Sequence, residues 1–196
     1  MAAWTSDVLA SVRAHVGRHF GDQEPSSASV TFLGLEPIEV LRFAGSDVVH
    51  HVTLGCSRHP MTDPSDPVAD PVRGPRAEVV LSLRGGAGVA SGLHRSLAVL
   101  AAAPAVEGVV LRPDGLVDLG EPLWHDAPFT AVLLGPSDIP DLDLPTPADP
   151  VVFLAVAPLT ATEAAWVRLR GADALRTAWA EAGIDVRDPG RGAAAL

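Results

Sequence analysis

The sequence predicts an α+β fold: one domain built on a mixed, mainly antiparallel sheet, with helices near the N-terminus, in the middle and near the C-terminus. Three observations carry this reading. Apolar residues form 47% and charged residues 19% of the 196 positions, enough to bury one full core. Stretches of period two cluster between turn signals and do not alternate regularly with helices, as a doubly wound α/β fold requires. Helical periodicity appears only at the two ends and once between them. Without a repeat or a clear linker, residues 1–196 read as a single domain, with 190–196 as a fraying tail.

The elements follow in order. Val8, Val12, Val16 and Phe20 recur every four residues and predict a helix over Ser6–Phe20, with Thr5 or Ser6 as N-cap. Short β-type runs follow at Val30–Leu33, Ile38–Phe43 and Val48–Gly55. Five prolines between Ser57 and Arg76 mark a long loop, and Glu78–Leu83 is the next strand. Gly85-Gly86-Ala87-Gly88 turns into a helix over Ser91–Ala103, which Pro104 is expected to stop. Val109–Arg112 and Leu116–Leu119 read as a hairpin through Pro113-Asp114-Gly115. Thr130–Leu134 and Val151–Val156 are apolar enough for central strands. Thr160 and Glu163 have the spacing of a capping box, opening two short helices that break near Gly171 and bury Trp166, Leu169, Leu175 and Trp179.

Charge excludes several classes of function. The net charge is −10, and all 14 cationic side chains are arginine. A nucleic-acid binder needs a basic face, and anionic lipid repels this chain as well. The acidity is concentrated: Glu107–Pro150 holds nine acids against Arg112 alone, a segment of −8, which leaves the rest at −2. Such a segment is either a solvated face or a landing site for a basic partner protein. The longest apolar runs, Leu97–Val106 and Val151–Leu159, are about half of the roughly 18 residues a membrane span demands. The start, Met-Ala-Ala-Trp-Thr-Ser-Asp, has no basic stretch leading into an apolar one, so no signal peptide is expected. A single cysteine, Cys56, excludes an internal disulfide and fits a reducing cytoplasm.

Chemistry is sparse. His50, His51, Cys56, His59 and Asp63 lie close in sequence, but their intervals match no preorganised zinc spacing. His50 and His51 are adjacent on a strand and face opposite ways, one expected half-buried and one solvated. Cys56 with His59 as its base would make a nucleophile only if the thiol were exposed and its pKa depressed. The glycines at 85–88 lack both the phosphate-loop and the dinucleotide signatures. Carboxylate pairs such as Asp141/Asp143 and Asp114/Asp118 sit in loops too irregular to oppose two acids rigidly. The tryptophans read as core, with Trp124 the one expected at the surface. The sequence therefore assigns no catalytic, metal-binding or cofactor-binding residue.

Gly55-Cys56-Ser57-Arg58-His59-Pro60-Met61, at the end of a strand and ahead of a proline-rich loop, resembles the Gly-x-Ser-x-x-Pro-Met stretch of bacterial suppressor of fused domain proteins. In the same order, Ala77–Leu81, Pro128–Leu134, Val152–Thr160 with Glu163, and Asp188-Pro189 with Arg191 resemble further segments of that family. The match spans about residues 30–191. Cys56 and the Ala/Pro-rich loops depart from the family's pattern.

The resemblance implies a protein-binding domain without enzymatic activity and without a cofactor. Gly55, Ser57, Pro60 and Met61 would be its structural motif. Animal relatives restrain a transcription factor, and bacterial ones are proposed as immunity proteins that neutralise a toxin. The function expected is a cytoplasmic binding module, an immunity protein against a basic toxin domain being its concrete form. Asp138, Asp141, Asp143 and Asp149 would then make the contact, with neither nucleic acid nor membrane as partner. Two alternatives stay open: an enzyme using Cys56 and His59, and a structural or oligomerisation domain.

Overall fold

The computed structural model describes residues 2–63, 65, 70–85 and 92–195, with side chains from Asp7 onward. In chain order the elements are α1 (Ala2–His19), β1 (Ser26–Val30), β2 (Ile38–Ala44), β3 (Val48–Leu54), a 3₁₀ turn (Cys56–Arg58), β4 (Arg76–Arg84) and α2 (Leu93–Glu107). There follow β5 (Leu116–Asp118), β6 (Phe129–Pro136), β7 (Val151–Thr160), α3 (Ala161–Arg170) and α4 (Ala172–Glu181). The seven strands form one sheet in the order β1-β2-β3-β4-β7-β6-β5. Among them only β4 and β7 run parallel; every other pairing is antiparallel. The expected α+β class with a mixed sheet is what the chain adopts.

Alternation along the strands divides the core. Val79, Leu81, Leu154 and Val156 point to the face that α2 covers with Leu93, Leu97 and Leu100. Val80, Phe153, Leu41 and Phe43 point to the other face, against Val8, Val12 and Val16 of α1. On that same second face, Ala131, Leu133 and Leu159 meet α3 and α4 through Ala164, Leu175 and Trp179. Phe20 extends the α1 contact by stacking on Phe43 at 4.5 Å. His50 and His51 take opposite faces, and it is His51 that is buried, not solvated.

Several boundaries differ from the sequence reading, each for a local reason. α1 begins at Ala2, so Thr5 and Ser6 lie inside the helix; the preceding alanines are good helix formers and extend it. The strand expected at Val30–Leu33 is instead Ser26–Val30, set by pairing Ser26 with Arg42 and Val30 with Ile38. It is an edge strand of serines that apolar periodicity does not mark. Pro104 does not stop α2. It sits in the last turn, where its carbonyl accepts the Gly108 N–H at 3.1 Å. The turn at Pro113-Asp114-Gly115 forms, with Gly115 N donating to the Arg112 carbonyl at 3.1 Å, but β5 pairs with β6 and Val109–Arg112 joins no strand. Leu169 is exposed and Trp124 is buried against Phe129, the reverse of expectation. Of the glycine turn, residues 86–88 lie outside the described residues, as does Ser91. The capping box at Thr160 and Glu163 and the break at Gly171 are present as read.

Arg191 and Ala194 are held in the core within the segment where fraying was expected. Arg191 reaches Glu163 with Nη1 at 2.7 Å and Nη2 at 3.1 Å. Glu163 also accepts from Trp179 Nε1 at 2.9 Å and from the Thr160 N–H at 3.0 Å. A fully buried carboxylate needs such partners, and the tail supplies the cationic one. Among the described residues no helix is long and apolar enough to cross a membrane.

Candidate functional site

One end of the sheet gathers most of the residues singled out by sequence. There β3 and β6 finish while β2, β4 and β7 begin, so the connecting segments around 34–37, 55–62, 70–75 and 137–150 converge. β3 runs into Gly55 at φ 146°, a conformation that side chains resist. A Cβ there would also lie 3.2 Å from the Pro37 carbonyl oxygen.

The 3₁₀ turn that follows is held from both sides by buried charge. Glu78, fully buried on β4, accepts from the Gly55 N–H at 2.8 Å, the Ser57 N–H at 3.0 Å and the Ser57 hydroxyl at 2.6 Å. Its second oxygen accepts the Thr53 hydroxyl at 2.6 Å. Burial pushes the Glu78 pKa up, and these four donors pull it part of the way back. Arg76 holds the turn's carbonyls, with Nη1 at 2.7 Å from Ser57 O and 3.0 Å from Arg58 O. Burial pulls the Arg76 pKa down, while Asp149 opposes that shift.

Beyond the turn, the buried Met61 donates its N–H to the Pro75 carbonyl at 2.7 Å, and its sulfur receives the Leu111 N–H at 3.3 Å. Gly74 packs on Pro60 so closely that a Cβ would lie 3.0 Å from Pro60 Cβ. Its N–H donates to Asp149 at 2.6 Å. Gly55, Ser57, Pro60 and Met61 therefore sit in one braced turn, tied through Gly74 to the last aspartate of the acidic loop.

Sequence reasoning missed the charges that brace it. Arg76 and Glu78 immediately precede an apolar run, and an alternating charge inside a strand otherwise destined for the core is the signal that could have found them.

The Cys56–His59 pair does not assemble a nucleophile. Cys56 is buried, and burial followed by the nearby Glu78 carboxylate raises its thiol pKa well above the ordinary value. The His59 side chain is exposed and directed to Glu36, at 2.9 Å. Among the described residues, no three His, Cys, Asp or Glu side chains converge as metal ligands.

The acidic segment divides into paired and unpaired parts. Asp114 meets Arg176 at 2.5 Å and Asp118 meets Arg168 at 2.6 Å, so α3 and α4 neutralise two of its nine acids. In the 137–150 loop, Ile139, Leu142 and Leu144 pack toward α1 while Asp138, Asp141 and Asp143 point outward. A bridge between Leu142 and Val151 fixes the loop to β7. These three aspartates make no hydrogen bond among the described residues. Asp149 is also exposed but is engaged by Gly74.

On the α2 side of the same end lies a cleft of about 650 Å³ between the braced turn and the last turns of α2. Glu36 rims it, paired with Arg58 at 2.8 Å and with His59. A groove of about 500 Å³ adjoins it along α2, and both are lined by Leu35, Ala102 and Glu107. Leu33, Val99 and Val106 line this groove and are exposed, Leu33 completely. Apolar surface gathered in this way is typical of a contact face.

Comparison with known proteins agrees with this architecture. The family model described as Suppressor of fused protein (SUFU) matches residues 34–192. No curated protein matches the chain by sequence. Among solved structures, a SUFU homolog from Neisseria gonorrhoeae is 19% identical with a TM-score of 0.64, covering 96% of this chain and 97% of its own. A chain of the Sufu–Fu complex is 13% identical with a TM-score of 0.69, over 95% of this chain and 91% of that one. Drosophila Suppressor of Fused, also 13% identical, has a TM-score of 0.66 over 95% of this chain and 50% of its own. With the family model spanning most of its length, from the approach to β2 through the buried Arg191, this chain belongs to the suppressor of fused family.

Proposed function

We propose that this protein is a non-enzymatic binding domain that presents one end of its sheet to another protein of basic character. An immunity protein that neutralises a basic toxin domain in the cytoplasm is the concrete form of this reading. The observation that carries it is the continuity at that end. The unpaired aspartates lie on the α1 side, the apolar groove lies on the α2 side, and Asp149, Gly74 and the Pro60–Met61 turn connect them. Negative potential speeds encounter with a positive partner, and a desolvated apolar patch holds it afterwards. Family membership and a relative solved in a Sufu–Fu complex support a binding role. The burial of Cys56 weighs against the enzymatic alternative.

The test starts from the partner recovered in a pull-down from the native host, re-expressed pure. Replacing Asp138, Asp141, Asp143 and Asp149 together by Asn should slow its association roughly tenfold and flatten the salt dependence. Unchanged association kinetics would remove the acidic loop from the interface. A pure chain that self-associates through the groove, and binds nothing else, would favour the oligomerisation alternative.

A further inference from the structure

A second cleft lies on the other face of the sheet, between the end of α1 and α4, with a volume of about 270 Å³. Its floor crosses the sheet's one parallel pair. Val80 of β4 pairs with Ala155 of β7, which pairs in turn with Gly135 of β6, and Ser82 and Ala157 line the cleft beyond them. Parallel strands are normally covered on both faces. Here Leu81, Leu154 and Val156 are buried beneath α2, whereas Ser82, Ala155, Ala157 and Gly135 remain half-exposed on the opposite side. Small residues at these positions leave a hollow where larger ones would close the sheet against the helices.

The walls are aromatic and polar by turns. Phe20, just after α1, and Trp179 from α4 supply ring surfaces, and the Phe20 and His50 rings lie 4.8 Å apart. His50 Nδ1 is 2.8 Å from the Ser82 hydroxyl, a pair that gives the floor its hydrogen-bonding point. Arg187 and Arg176 face the cleft against a single acid among the described residues that line it, Asp138. Arg176 is already engaged by Asp114 and Asp173. Arg187 spends only Nε on Asp185, at 3.2 Å, and its two Nη nitrogens make no hydrogen bond among the described residues. In a chain of net charge −10, the hollow thus carries an arginine fork with free donors beside an apolar floor.

We propose that this cleft binds a small aromatic carboxylate, its ring on the apolar floor and its carboxylate on the Arg187 guanidinium beside His50 and Ser82. Convergent polar groups from five separate segments over an apolar base are the usual make-up of a small-ligand site. The size suits one ring system. This site shares Asp138 with the protein-binding end, but its other groups lie outside that end and the proposal does not rest on the binding reading.

Benzoate and indole-3-carboxylate serve as probes, with benzamide as the uncharged control, titrated into the intact protein by calorimetry and by NMR of the histidine Cε1 protons. The carboxylates should bind with Kd of about 1 mM or tighter, a value within reach of so few atoms. Benzamide should bind at least tenfold more weakly. Arg187→Gln, at an exposed side chain, should cost a similar factor, and Ala155→Leu should abolish binding by filling the floor. Asp138→Asn should tighten binding. Burial, His19 and Arg187 press the His50 pKa down, in that order, with Asp138 opposing; a bound anion should raise it. No binding of either carboxylate at 10-fold above that concentration, or equal affinity for benzamide, overturns the proposal. So does equal affinity in Arg187→Gln.

Discussion

His51 shows how much a single side chain can hide from its sequence. It lies in a run of Val-Val-His-His-Val-Thr-Leu, where alternation fixes opposite faces for the two histidines but not which face is dry. The structure turns His51 under α2, where Nδ1 finds no partner among the described residues. Burial, then the neighbouring Arg42, presses its pKa from 6.5 to about 4. A lowered histidine pKa means that the unfolded chain takes up the proton first. The stability that His51 contributes as a neutral ring is therefore complete above pH 6.5 and is lost as pH falls through 4. The full effect is bounded by about 3 kcal/mol. Urea unfolding at pH 7.0 and 4.5 should show a larger loss for the native chain than for His51→Leu. Equal losses would place the acid sensitivity elsewhere. Glu78 has the opposite sign: its pKa is raised, so this one group favours the fold toward low pH and loses that contribution as pH rises through its folded pKa. The opposite faces of the histidine pair were legible in sequence because alternation is local, whereas the stretch from Gly55 to Met61 stood out only through its resemblance to a family. The buried charges that hold that stretch were not legible, because their donors come from strands paired only in three dimensions.

Elements were read well where periodicity and capping agreed and poorly where an element depends on a distant partner. The α3 start carries its own signal in Thr160 and Glu163, and the helix begins there. β1 and β5 are short edge strands defined by what they pair with, and the sequence displaced the first and gave the second the wrong neighbour. The C-terminal segment is the largest such difference. Gly190–Leu196 looks like a tail composed of glycine and alanine, yet Arg191 enters the core beside the rings of Phe129 and Trp179, at 4.9 and 5.4 Å. Glu163 is then a carboxylate that burial alone would raise, but Arg191, Trp179 and the Thr160 N–H outweigh burial and hold its pKa below 4.5. Arg191→Ala strands that carboxylate in the core and should destabilise the protein by about 3–5 kcal/mol in urea unfolding. Glu163→Gln added to Arg191→Ala should recover part of the loss, because the stranded charge is gone. A true tail would show neither effect.

At the scale of the whole molecule, the sheet separates two surfaces and one of its ends rejoins them. Acidic residues exposed on the α1 side and apolar residues along α2 would be independent on opposite faces, except that the loops at the end of β3 and the start of β4 and β7 bring both to the same rim. The charge asymmetry was visible in sequence as the −8 segment, but its effective part is smaller, since Arg168 and Arg176 answer Asp118 and Asp114. The groove was invisible, because Leu33, Val99 and Val106 belong to a loop and a helix that meet only in the fold. If one partner straddles the rim, the two surfaces must fail in different ways. Neutralising the four aspartates removes long-range attraction and should act on association. Val106→Asp puts an unpaired charge into a desolvated contact and should raise the dissociation rate by tenfold or more, with association and its salt dependence little altered. Combining the two should then multiply their effects on Kd, because a rim charge and a groove side chain act on separate steps of the same event. If Val106→Asp leaves dissociation unchanged while the aspartate variant slows association, the partner sits on the α1 side alone and the groove serves something else.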